Sequence, residues 1–186
     1  MRIRPSVSRW AACVVLATLG LLLNSSLLTG EQGSSALAAD PTNNLALRGS
    51  GLPLPRFASL KSDEVNVRTG PGPRYPVDWI FKRKMMPVEI VAEYENWRKI
   101  RDWQGTSGWV LQSLLTGKRG FVTAKEANVW RAPALSGEVV AKLEPEVMGE
   151  IHSCRGDWCR VKVSNGVSGW LARTDLWGVY KSESIN

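Results

Sequence analysis

Residues 97–109 read W-R-K-I-R-D-W-Q-G-T-S-G-W, and sixty-one positions later residues 158–170 read W-C-R-V-K-V-S-N-G-V-S-G-W. Each copy sets its outer tryptophans twelve positions apart and ends on Ser-Gly-Trp. Each is entered through a turn, Glu95-Asn96 in the first and Arg155-Gly156-Asp157 in the second. A repeat at a fixed offset is the mark of one structural unit made twice. Upstream, Asn66-Val67-Arg68-Thr69-Gly70-Pro71 is matched by Asn128-Val129-Trp130-Arg131-Ala132-Pro133 at an offset of sixty-two, so one residue is lost before the second hairpin.

The residues around these landmarks alternate as half-buried strands do. Strands are expected at 57–60, 65–68, 77–81, 88–94 and 108–111, and in the second copy at 139–143, 147–153, 159–163 and 169–172. Residues 112–115 and 174–177 are read as single helical turns. Thr69-Gly70-Pro71-Gly72-Pro73 must be loop, because proline lacks the donor and glycine invites positive φ. Within the first hairpin, Trp97, Lys99, Arg101 and Trp103 share one strand face, and Arg98, Ile100 and Asp102 the other. The second hairpin sets Trp158, Arg160 and Lys162 against Cys159, Val161 and Val163.

The N-terminus belongs to export. Arg2, Arg4 and Arg9 precede an apolar run from Trp10 to Leu23, and Ala36-Leu37-Ala38 supplies the small residues of a cleavage site, so residues 1–38 read as a signal peptide. The alternative is an uncleaved membrane anchor extended through Leu27-Leu28, the one route to a membrane that the sequence offers. The chain carries a net charge of +7; removing residues 1–38 takes away three basic residues and one acid, leaving +5. That balance suits an anionic envelope. Nucleic acid is not a partner on this reading, since the cations are dispersed among acids and the longest basic run is Lys82-Arg83-Lys84.

Residues 39–56 are expected to be a flexible tether, with Leu52-Pro53-Leu54-Pro55 extended along the first domain or serving as a polyproline-type ligand. Domains follow at 57–117 and 121–181, joined by a linker at 118–120 and closed by a tail at 182–186. That linker is too short for independent motion.

Cys154 and Cys159 survive export, and an even count in an oxidising compartment favours a disulfide; two buried free thiols are the alternative. If Ile151 pairs with Val161, however, Cys154 falls opposite Trp158, so a bulge near Trp158 is predicted to bring the sulfurs together. No metal site is expected: His152 is the only histidine, leaving three ligands at best.

The ordered set N-V-R-T-G-P-G-P, then a tryptophan before a basic-apolar strand, then S-G-W, resembles the bacterial SH3-like domain of exported and wall-associated proteins. Leu52-Pro53-Leu54-Pro55-Arg56-Phe57 is similar to the lead-in of short envelope proteins built from two such domains. The resemblance implies an all-β fold, two tandem five-stranded SH3-like barrels each with a short helical turn beside its last strand, and binding rather than catalysis. The second copy departs from the pattern at Trp130-Arg131-Ala132-Pro133, so its loop must take another path.

In SH3-like barrels a proline-rich loop and the next strand flank the ligand groove, which makes Arg68, Tyr75, Trp79 and Trp97 the first ligand-binding candidates. Lys99, Arg101, Trp103 and Trp158 join them as aromatic and basic groups able to stack on and pair with an anionic peptide or glycan. Their alternative role is to cover barrel ends or the contact between copies. Trp109 and Trp170 are expected to anchor the cores, and Asn66 and Asn128 to bond loop backbone. Catalysis lacks its parts: the cysteines and His152 lie on one hairpin where disulfide formation competes, and no nucleophile elbow, phosphate loop or zinc helix motif occurs. No cofactor is expected. The sequence therefore points to a periplasmic or otherwise exported binding module for a peptide or peptidoglycan fragment, or to an adaptor for an envelope protein.

Overall fold

The computed structural model describes residues 49–186 and the backbone of Arg2–Ile3. The expected signal peptide and the tether as far as residue 48 otherwise lie outside the described residues. The elements are β1 (Arg2–Ile3), β2 (Arg56–Leu60), β3 (Val65–Arg68), β4 (Val77–Phe81), β5 (Pro87–Tyr94), β6 (Trp97–Arg101), β7 (Ser107–Leu111), a 3₁₀ turn at Gln112–Leu114, and β8 (Leu115–Thr116). The second unit contains β9 (Arg119–Thr123), β10 (Ala127–Trp130), β11 (Val139–Leu143), β12 (Met148–Arg155), β13 (Trp158–Val163), β14 (Ser168–Ala172), a 3₁₀ turn at Arg173–Asp175, and β15 (Leu176–Trp177).

The strand orders are β1-β4-β3-β7-β6-β5-β2-β8 and β11-β10-β14-β13-β12-β9-β15. Apart from the two-residue β1, one order is the copy of the other. These are two open seven-stranded arrangements rather than closed five-stranded barrels. One extra strand in each unit arises because the chain leaves the 3₁₀ turn extended and lays two more residues on the opening strand, β8 on β2 and β15 on β9. β8 is an edge of the first sheet, where β1 pairs with β4, and β11 and β15 are separate edges of the second. Arg119 and Gly120, read from sequence as linker, are already β9.

Pairing of the long strands explains the hairpins. Glu89–Arg101 and Ile90–Ile100 pair directly, then a register shift at Val91 precedes Ala92–Lys99, Glu93–Arg98 and Tyr94–Trp97. The second copy repeats this with the shift at His152, followed by Ser153–Arg160, Cys154–Cys159 and Arg155–Trp158. The bulge predicted near Trp158 therefore sits on the other strand, before the cysteines. An extra residue there lets Ile151 face Val161 and Cys154 face Cys159 together, while bending the strand around its core. The turn holds two residues, and its first, Glu95 or Gly156, takes a φ of 50° or 55°, as hairpin turns matched to strand twist require.

The first core gathers Leu60, Val65, Val67, Phe81, Met86, Val88, Ile100 and Val110, together with Val122 and Met148 of the second unit. The second gathers Phe121, Val129, Ile151, Val161, Leu171 and the two cysteines. Phe121 and Val122 are adjacent, so β9 faces one core with each side and forms a wall common to both. Close approach follows: a Cβ on Gly120 would collide with the Met85 carbonyl, and the Gly120 amide donates to Ser59 Oγ at 2.7 Å. Phe57 meets Trp177 edge-on at 4.8 Å and Tyr180 at 4.6 Å. The Tyr180 hydroxyl donates to Glu89 Oε1 at 2.8 Å.

Candidate functional site

Each Ser-Gly-Trp motif places its glycine inward and its tryptophan outward. A Cβ on Gly108 would strike Val67 Cγ1 and lie 2.9 Å from Arg68 O; one on Gly169 would meet Val129 Cγ1 and Trp130 O. Only glycine lets the neighbouring core strand pass that close. Because successive residues alternate faces, Trp109 lies opposite in sense to the fully buried Val110, and Trp170 to Leu171. The expected core-anchoring role of Trp109 and Trp170 is therefore corrected: both are half-buried and lie outside the buried clusters.

The outer faces are organised by register. Arg68 pairs with Trp109, Trp109 with Lys99, and Lys99 with Ala92, giving one row across β3, β7, β6 and β5. A second row runs Trp130, Trp170, Arg160, Ser153 across β10, β14, β13 and β12. Beside the first row opens a groove of about 460 Å³ lined by Asn66, Arg68, Pro73, Glu95, Asn96, Trp97, Leu111 and Leu114. It brings together Arg68 and Trp97 of the ligand candidates, walled by the proline loop and ended by the hairpin turn. Lys99, exposed, lies on the same face.

The other candidates fall elsewhere. Tyr75 fixes the loop: its ring packs where a Cβ of Gly70 would stand, Arg74 lies 5.8 Å from its centroid, and its carbonyl accepts Arg68 Nη1 at 2.7 Å. The loop-backbone bond anticipated from Asn66 thus comes from Arg68, and Asn66 is exposed on the groove wall; Asn128 is half-buried on β10. Trp79 pairs across from Val67 and packs on the first core. Arg101 is held by Glu89 through Nε at 3.1 Å. Trp103 packs on the first core and donates to Glu146 of the second copy at 3.4 Å, where Gln104 also binds. Trp158 lies on the outer face of the second hairpin across from Ala172.

Inside the hairpins the two copies solve one problem with different chemistry. Glu93 and Arg98 are cross-strand partners in the first; the equivalent positions in the second are Cys154 and Cys159, joined by a disulfide with Cα atoms 4.1 Å apart. Arg98 is 5% exposed and fully engaged. Its Nε meets Glu93 at 3.0 Å, Nη1 donates to the carbonyls of Glu95 and Trp97 at 2.8 and 2.9 Å, and Nη2 to Gln112 Oε1 at 2.6 Å. With no guanidinium at position 159, the second copy recruits Arg173, which occupies the place of Gln112 and donates to the Gly156 carbonyl at 2.9 Å.

Glu93 also binds Arg56 and the Ser50 amide and hydroxyl. Burial alone would raise its carboxyl pKa, but the Ser50 and Arg56 bonds hold it below the ordinary value. Ser50, assigned to a flexible tether, is accordingly pinned to the first unit. The tail behaves likewise: Ile185 pairs with Cys154, and Glu183 binds Arg119. Burial and the Glu89 carboxylate both push the Tyr180 hydroxyl above its ordinary pKa.

The chain belongs to the bacterial SH3 domain family, which matches it twice, over residues 61–117 and 123–178. Among individual proteins, it is 26% identical over 127 residues to YrvJ of Bacillus subtilis (strain 168), a protein named as an N-acetylmuramoyl-L-alanine amidase. The match takes in 62% of this chain but 24% of that protein, so the chain spans about a quarter of the relative's length. Two solved structures from Trichomonas vaginalis are also similar. NlpC2 is 14% identical, with 69% of this chain and 50% of that one covered and a TM-score of 0.33. NlpC1 is 15% identical, with 69% and 48% covered and a TM-score of 0.30. Among the described residues, no helix is long and apolar enough to cross a membrane.

Proposed function

We propose that this is an exported, non-enzymatic binding module whose first copy receives an extended, carboxylate-bearing peptide or peptidoglycan fragment in the groove between the proline loop and β6. The observation that carries this reading is the outward row Arg68–Trp109–Lys99 beside Trp97. It sets cations on both sides of an indole, and Arg68 at one end of the row also lines the groove. Membership of the bacterial SH3 domain family and similarity to a protein named as an N-acetylmuramoyl-L-alanine amidase support a wall ligand. Cations that flank an aromatic face pair with carboxylates while the ring covers the apolar part of the ligand. The mature chain, mixed with purified sacculi at low salt, should co-sediment with them and be released by added salt as charge pairing is screened; a chain left in the supernatant counts against wall binding.

An adaptor role has one observation in its favour. At the edge of the second sheet, β11 leaves Val139 and Val140 about 40% exposed, and Leu135 in the preceding loop is 74% exposed. Open edges of that kind pair with other chains. Crosslinking in cells that captures one protein through β11, with no wall affinity, would favour the adaptor.

A further inference from the structure

We infer that the second copy is a saccharide platform, so that the protein holds the peptide and the glycan of the wall on different units. This rests on the wall-binding reading of the first copy and extends it to a ligand class that the first groove does not suit. The buried neighbours Val129, Cys159, Val161 and Leu171 all turn inward with no exposure. Trp130, Trp158, Arg160 and Trp170 therefore share the outer face of β10, β13 and β14. Trp130 stands directly across from Trp170, and Trp170 across from Arg160. Directly paired residues have Cβ atoms about 5 Å apart, which roots the two indoles next to one another on the same face.

The contrast with the first copy is local and coordinated. Where the first has Arg68, Gly70 and Tyr75, the second has Trp130, Ala132 and Gly137. In the first, Arg68 Nη1 donates to the Tyr75 carbonyl and the tyrosine ring fills the space above Gly70. In the second the ring is gone, a Cβ on Gly137 would lie 3.9 Å from the Trp130 indole, and the loop neck closes on itself through the Thr69–Pro76-like backbone bond Arg131–Glu138. Arg131 and Glu138 also pair through their side chains at 2.6 and 2.7 Å, and that pairing raises the arginine pKa and lowers the carboxylate's. The pair neutralises itself, so Arg160 is the one charge in the row. Two indoles in one row, with the multidentate donor Arg160 at its end and the exposed Lys162 further along the same face of β13, suit a ligand of flat rings bearing hydroxyl and acetamido groups. Indole faces cover the C–H faces of a pyranose, and the guanidinium donates to ring substituents.

The test titrates full mature chain with a peptide-free β-1,4-linked N-acetylglucosamine pentamer, following indole N–H resonances and tryptophan fluorescence. The result expected is saturable binding, with the shifts concentrated on Trp130, Trp158 and Trp170, and at least tenfold weaker affinity in Trp130→Arg, which installs the residue the first copy carries there. Absence of binding, shifts confined to Trp97 and Trp109, or an unchanged affinity in a folded Trp130→Arg would overturn the platform. Should Trp130→Arg unfold, the wild-type indole footprint decides alone. The same sample is co-sedimented with sacculi: pelleting without pentamer binding overturns the platform and leaves the first-copy reading standing, whereas failure to pellet strikes that reading itself.

Discussion

Replacing Arg98 by alanine should destabilise the protein far more than any exposed substitution. Its guanidinium is 5% exposed and makes four bonds, to Glu93, the Glu95 and Trp97 carbonyls, and Gln112. Breaking a buried ion pair by removing one partner costs about 3–5 kcal/mol. Glu93 keeps Arg56 and Ser50, which places the expected loss at the lower end, about 3 kcal/mol. For a chain of this size that lowers Tm by about 6–12 °C. Urea and thermal unfolding of Arg98→Ala measure it directly. The double variant Glu93→Cys, Arg98→Cys recreates the pair found at 154 and 159, and its oxidised form should regain much of the loss, with the gain disappearing under reductant. A loss below about 0.5 kcal/mol in Arg98→Ala, the range of ordinary surface changes, would refute the claim that ion pair and disulfide are equivalent staples.

Two further outcomes follow from the same geometry. The Glu93 carboxyl has a folded pKa held below its ordinary 4.5; its stabilisation is present above the unfolded value and is lost as pH falls through the folded one. Wild type should therefore lose stability below about pH 4.5 more steeply than Glu93→Gln, as read from urea midpoints across pH 2–6. Trp109→Ala should cost about 1 kcal/mol because the indole is outside the core, while Ile100→Ala, at zero exposure, should cost about 2–5 kcal/mol; equal losses would return Trp109 to the interior.

Strand positions were legible because alternation is a local signal: Val65, Val67, Ile100, Val110, Val161 and Leu171 all face inward, where their spacing puts them. The open strand order was not, since β8 and β15 are two residues each and carry no periodicity. Trp109 and Trp170 were misread because size and apolarity suggest burial, while the decisive residue is the glycine beside each, whose meaning depends on how near Val67 or Val129 passes. The role of Arg98 was hidden for the complementary reason. Alternation put it on the face of Ile100, but the partners that let a guanidinium be buried there, Glu93 and Gln112, converge only in the fold. The bulge was correctly required by the clash of registers between Ile151 and Cys154, but either strand could hold the extra residue; His152 does so, as Val91 does in the first copy. Of the first groove, Arg68 and Trp97 could be named from the loop and hairpin motifs. Its second wall, Leu111 and Leu114, comes from a strand and turn whose approach only the fold reveals.

On the proposed function, the outward cation and indole row of the first copy holds a wall fragment. Its most direct test is the affinity of the mature chain for purified sacculi before and after Lys99→Glu, a change at an exposed position opposite Trp109. Binding should become at least about tenfold weaker, the scale of a reversed charge at a complementary interface, with an unaltered unfolding midpoint. Undiminished affinity in the folded variant would contradict it.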